Sequence, residues 1–126
     1  MSASRPQWDA ARTLERLGGD ERLFQEVIEI FLEEGPRQMA SMRAALTRGD
    51  KDATERIAHT LKGELGYLGL PEASRCAREL EDAGRNGDLE HAVRIHSSLE
   101  REIERATDVI RGVLRRNSIA RSPGAD

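Results

Sequence analysis

Apolar residues fall along this chain at spacings of three and four, in blocks separated by short runs of Gly, Pro, Asp and Asn. That period is the helical one, and it predicts five helices. The first runs from Gln7 to Leu17, with Trp8, Ala11, Leu14 and Leu17 on one side and Gly18-Gly19 as its stop. Asp20 is placed to cap a long second helix, Glu21 to about Arg48, marked by Phe24, Val27, Ile28, Phe31, Met39, Met42 and Leu46. Gly35-Pro36 lies inside it. A proline there removes one hydrogen bond and crowds the carbonyl of Leu32, so a kink is expected rather than a break.

Gly49-Asp50 separates this helix from a third, Asp52 to Leu68, and Gly69-Leu70-Pro71 closes that one and opens a fourth with proline in its first turn. The fourth ends near Arg85, where Asn86-Gly87-Asp88 combines a turn with an N-cap. Leu89, Ala92, His96, Leu99, Ile103, Ala106, Ile110 and Val113 then define a long core-facing last helix. Short loops between four substantial helices make neighbours antiparallel. The fold class expected is all-α, an up-down antiparallel four-helix bundle with an additional N-terminal capping helix. Residues 1–6 are expected to be a flexible N-terminus, 7–116 the domain, and 117–126 a disordered tail or linker, since breakers replace the periodicity past Asn117.

Composition agrees with helices: abundant Ala, Leu, Glu and Arg, 34 % charged residues and only 3 % aromatic. With a net charge of -3 there is no broad basic surface for a phosphate backbone, so no nucleic-acid partner is expected. The longest apolar runs are far below the roughly 20 residues a membrane span requires, and the N-terminus lacks a signal-peptide apolar region. A soluble, cytoplasmic monomer with no membrane partner is the expectation. The single cysteine, Cys76, excludes an internal disulfide; its spacing with Ala73, Ala77 and Leu80 makes it an inert core thiol.

Chemistry concentrates on the third helix, in Ala58-His59-Thr60-Leu61-Lys62-Gly63-Glu64-Leu65-Gly66-Tyr67-Leu68-Gly69. At about 100° per residue, Ala53, Thr54, Ile57, Leu61, Leu65 and Leu68 gather on the side opposite His59, which therefore faces water. Asp52, Glu55, Arg56, Lys62, Gly63 and Gly66 share its exposed side. Two glycines on an exposed helical face are each unfavourable by about 1 kcal/mol relative to alanine, so propensity does not explain them. Clearance does: they let another protein's surface approach the ring.

A neutral imidazole, with an unperturbed pKa near 6.5, is a competent nucleophile toward phosphorus. Phosphoryl transfer then needs positioning and cations for the phosphoryl oxygens; Lys62 is placed to help while a partner's metal ion supplies the rest, and Arg56 and Lys62 put positive charge one turn to either side of the ring. Glu55, four residues before His59, is placed to bond the ring nitrogen that does not react. Taken singly these are ordinary surface residues; the combination carries the argument. His96 falls on the apolar stripe of the last helix as a hydrogen-bonded core histidine, and His91 at the surface. No i, i+4 histidine pair or carboxylate partner suggests a metal site. Gly63-x-x-Gly66-x-x-Gly69 has no preceding strand, so no nucleotide site is expected and the chain cannot draw phosphate from ATP itself.

Ala-His-Thr-Leu-Lys-Gly followed by Leu68-Gly69 resembles the phosphorylation motif of histidine-containing phosphotransfer (HPt) domains, His-x-Leu-Lys-Gly with a glycine further on. The resemblance extends from about Trp8 to Arg115. It takes in Gly18-Gly19-Asp20-Glu21, Phe31-Leu32-Glu33-Glu34-Gly35-Pro36, Cys76-Ala77-Arg78-Glu79-Leu80-Glu81 and Gly87-Asp88. It implies a phosphocarrier without an ATP site, relaying a phosphoryl group between receiver-domain aspartates through phosphorylated His59, with Lys62 stabilising the phosphoryl oxygens. Arg56, Glu55, Gly63 and Gly66 would meet the partner. Response-regulator receiver domains and a hybrid sensor histidine kinase are the implied partners. No cofactor of the chain's own is implied, Mg being brought by the receiver. Two alternatives are a helical adaptor that is never phosphorylated and the phosphoacceptor module of a chemotaxis-type histidine kinase. The chain departs from the family pattern at Glu64 and Tyr67, where small residues are common.

Overall fold

A computed structural model describes residues 8–125, with side chains described as far as Arg116. It contains α1 (Ala10–Arg16), α2 (Glu21–Thr47), α3 (Lys51–Tyr67), α4 (Pro71–Asn86) and α5 (Leu89–Ala125), with no strand among the described residues. Each helix begins where its cap chemistry allows. Asp9, Asp20 and Asp50 accept hydrogen bonds from backbone N–H groups of the first turns of α1, α2 and α3, and Asp88 accepts from the N–H of His91. Pro71 occupies the first turn of α4, whose C-cap Gly87 takes the left-handed conformation (φ 74°) that a side chain disfavours.

α2 packs on α3, α3 on α4, α4 on α5 and α5 back on α2, a closed ring of four antiparallel helices joined by connections of two or three residues. Its core is built from Ile28, Met42, Leu61, Leu65, Leu80, Leu99 and Ile110, all fully buried. α1 is a cap in the chemical sense as well as the topological one. The Leu68 carbonyl at the end of α3 has no partner within its helix, and Trp8 Nε1 and Thr13 Oγ1 each donate to it at 2.8 Å. Arg16 Nη1 donates to the carbonyls of Gly66 and Tyr67 at 3.2 and 2.7 Å, and Trp8 stacks on Phe24.

The first helix is shorter than its periodicity suggests, because Asp9 caps it; Gln7 and the expected flexible segment 1–6 lie outside the described residues. α2 runs through Pro36 as one helix, with Pro36 exposed and Gly35 set against the Phe31 ring. α5 does not stop near Asn117. Its backbone continues helical to Ala125, since extending a helix already nucleated fixes one residue for each bond gained. Cys76 is half-buried at the edge of the core rather than inside it, and burial, with the charges of Glu102, Glu79 and Glu72, raises its thiol pKa.

Candidate functional site

Among the described residues, α3 and α4 share the most extensive contact of any pair of helices. A Cβ on Gly84 would stand 2.8 Å from the backbone nitrogen of Glu55 and 3.1 Å from its Cα, so only glycine permits the crossing. This contact sets the height at which α4 faces α3, and it brings Glu81 beside His59.

His59 projects into solvent, its side chain 67 % exposed, while the Glu81 side chain is 6 % exposed. His59 Nδ1 lies 2.8 Å from Glu81 Oε2. Lys62 Nζ lies 2.9 Å from Glu81 Oε1, and Arg85 Nη2 lies 3.3 Å from Oε2. A buried carboxylate is costly unless paired, and here both oxygens are engaged. The Lys62 bond, followed by the His59 bond, holds the Glu81 carboxyl below the usual range despite burial. An ionised carboxylate only accepts hydrogen bonds, so Nδ1 must carry the ring proton. In the neutral ring this leaves the lone pair on Nε2.

Sequence reasoning assigned the orienting role to Glu55, and the structure corrects it. Glu55 Oε2 instead receives Arg85 Nε at 3.1 Å. A carboxylate gains more from a guanidinium than from a neutral imidazole, and Nδ1 is already occupied. Arg85 thus links Glu55, Glu81 and Asp82 into one network. Glu81 was missed because its partners come from another helix. One signal was legible: Ala77, Leu80, Glu81 and Gly84 follow the i, i+3, i+4, i+7 rule, which sets a charge on the buried stripe of α4.

The other expected residues divide. Arg56 is exposed on α3 and carries no ion pair among the described residues; the Ala53 backbone hydrogen bond is the main cause that lowers the Asp50 carboxyl, and the Arg56 charge adds a little to it. At Gly63 a Cβ would meet nothing within 4 Å, so that position is open clearance. Gly66 is exposed but a Cβ there would stand 3.4 Å from Ser74 Oγ, which donates to the Lys62 carbonyl at 3.1 Å. It therefore lies against α4 on one side and open to solvent on the other. Tyr67, 45 % exposed, and Ile30, 59 % exposed, flank a mostly apolar groove of about 430 Å³ that Gly63 and Glu64 also line. His91 is exposed, and His96 is buried with its Nε2 lacking a hydrogen-bond partner. Among the described residues no group of His, Cys, Asp or Glu is arranged to hold a metal ion, and no helix is long and apolar enough to cross a membrane.

A family model described as the Hpt domain matches residues 26–109. The crystal structure of histidine-containing phosphotransfer protein B (HptB) from Pseudomonas aeruginosa PAO1 is similar, with TM-score 0.74 and 26% identity, covering 92% of this chain and 96% of that one. The HPT domain from the Hpt sensor hybrid histidine kinase from Shewanella shares the fold, with TM-score 0.75 and 21% identity over 86% of this chain and 94% of that one. No curated protein matches the sequence.

Proposed function

We propose, because the chain belongs to the Hpt domain family, that His59 Nε2 is the atom that carries phosphate between receiver aspartates. Histidine phosphotransfer in two-component signalling is the activity of this family, and the module is a phosphocarrier. The observation that carries the assignment to His59 is the exposed ring tied through Nδ1 to a buried, ionised carboxylate.

The step balances without moving a proton. The Nε2 lone pair attacks the phosphorus of an aspartyl phosphate on the receiver, the N–P bond forms, and the P–O bond to aspartate breaks to release a carboxylate. The ring keeps its Nδ1 proton and becomes cationic, and Glu81, 2.8 Å away, neutralises that charge as it develops. The return step to a second aspartate is the same path reversed.

Lys62, one turn beyond His59, is anchored on Glu81 and a third exposed, so its ammonium stands beside the ring and reachable by phosphoryl oxygens. Transfer of this kind depends on such cations and on in-line positioning, and Mg brought by the receiver supplies the remaining charge. The receiver seats over Gly63 and the apolar groove, with Ile30 and Tyr67 as its exposed contacts, which gives Tyr67 and Glu64 a place in partner choice. Receivers of a hybrid sensor kinase and of a response regulator are the partners in this reading.

Incubating the chain with a phosphorylated receiver and Mg tests it. Phosphate that is acid-labile, base-stable and mapped to His59 is the expected product. Labelling elsewhere, or none with any receiver of the same organism, overturns the reading.

A further inference from the structure

Between α1, the end of α3 and the start of α4 runs a groove of about 590 Å³ whose charged lining is Arg12, Arg16, Lys62, Arg75 and Arg78, with Asp9 as the one carboxylate. In a chain of net charge -3, this concentration of cations runs against the whole. Asp9 is already engaged, accepting from the Arg12 backbone N–H at 3.0 Å. Lys62 is held by Glu81, and Arg75 by Glu72 at 2.8 Å. Arg16 donates to two backbone carbonyls, which are neutral, so its charge is uncompensated. The Arg12 and Arg78 side chains, both on exposed residues, form no ion pair among the described residues. Three guanidinium groups without an ion pair among the described residues therefore share one open groove with a single carboxylate, Asp9.

We infer that this groove binds an acidic segment of the receiver partner, its carboxylates received by Arg12, Arg16 and Arg78. Guanidinium groups match carboxylates in paired hydrogen bonds. A single-stranded nucleic acid fits less well, because base stacking needs aromatic faces, none lines the groove, and the nearby Trp8 is stacked on Phe24 with ring centroids 5.9 Å apart. Lys62 belongs both to this groove and to the His59 network, so a segment lying here continues the interface from the phosphorylated ring toward α1. Such a charged rim acts on the rate of encounter and on partner choice more than on the chemistry. That the partner is a receiver rests on the phosphocarrier reading; the binding of an acidic segment does not.

The test uses the full chain, a short fluorescein-labelled peptide of Asp and Glu, and anisotropy at low and high salt. Wild type is expected to bind with an affinity that falls with salt, and R12E/R78E to bind about tenfold or more weakly. The neutral pair R12Q/R78Q should fall between, with both variants melting as wild type does because neither side chain supports the core. The peptide should also slow phosphotransfer from a phosphorylated receiver to the wild-type chain. His59→Gln should bind the peptide as wild type does, so a failure of the phosphate assignment leaves this measurement standing. Equal binding by R12E/R78E, equally tight binding of an oligothymidylate, or peptide binding that leaves receiver transfer untouched would each overturn the inference.

Discussion

His59 and His96 are arranged as opposites. On α3 the imidazole stands in water and its carboxylate, Glu81, is buried; on α5 the imidazole is buried and its carboxylate, Glu100, lies 3.9 Å away with a side chain 30 % exposed. Glu81 is joined by Lys62 and Arg85, whereas Glu100 is drawn off by a direct contact with Arg43. Burial therefore acts on different partners. At the first site it concentrates a compensated negative charge behind an accessible ring. At the second, desolvation is the main reason the His96 pKa is lowered, against the pull of Glu100, with Arg43 adding to the lowering and a backbone hydrogen bond to Met39 opposing it. The exposed histidine and the core histidine differ here in which member of the pair the fold conceals.

The sharpest way to break this contrast is to remove each ring in turn. His59→Gln should abolish phosphate acceptance while the bundle stays folded, with a stability loss of about 0.5 to 1.5 kcal/mol for the hydrogen bond withdrawn from buried Glu81, which Lys62 and Arg85 still hold. His96→Gln should do the reverse, lowering the melting temperature while the folded fraction still takes up phosphate. Acid-labile labelling and thermal melts on both variants decide it; labelling in the first, or its loss in the second, would mean the roles are misassigned.

The carboxylates offer the next test. Glu81→Gln keeps shape but removes the charge that orients and then neutralises the ring, so single-turnover transfer should slow on the order of a hundredfold. Glu100→Gln should leave the transfer rate unchanged. A wild-type rate in Glu81→Gln would show that the receiver alone organises the imidazole.

A smaller effect is expected where the two helices meet. Gly84→Ala places a Cβ against the Glu55 backbone, which cannot move as a flexible side chain would, and overpacking of this kind costs about 1 to 3 kcal/mol. The loss should appear in denaturant unfolding and should be accompanied by slower transfer, since parting α3 from α4 draws Glu81 from His59. Unchanged stability would mean that the helices can separate freely.

The smallest effect is a pH dependence in two stages. A histidine whose pKa is lowered on folding leaves the folded state reluctant to take a proton the unfolded chain accepts. His96 therefore removes stability as pH falls below its ordinary value of 6.5. Glu81, lowered on folding, contributes stability that is present above the ordinary carboxyl value of 4.5 and lost as pH falls through its lower folded value. Denaturant midpoints across this range should show the first stage missing in His96→Gln and the second in Glu81→Gln. Both variants retaining the full acid sensitivity would assign it to other groups.

Helix count, order and most boundaries were legible because they are local: apolar spacing, aspartate caps and glycine stops act within a few residues. The placement of His59, Lys62 and Gly63 on one face of α3 was legible for the same reason, since spacing along a single helix sets it. Glu55 shows where such reasoning fails. Spacing along α3 put it within reach of His59, but Arg85 on α4 was the stronger partner, and no helical period reveals a competitor on another helix.

By itself, then, the sequence determined an all-helical chain with an exposed histidine backed by an apolar stripe, since periodicity and propensity depend only on neighbours in the chain. The tertiary structure decided which carboxylate holds that histidine, why Gly84 must be small, how α1 satisfies the Leu68 carbonyl and where unpaired arginines gather. Each of those depends on groups more than a helical turn apart in sequence, and only packing sets the distances and the burial that give such pairs their energy.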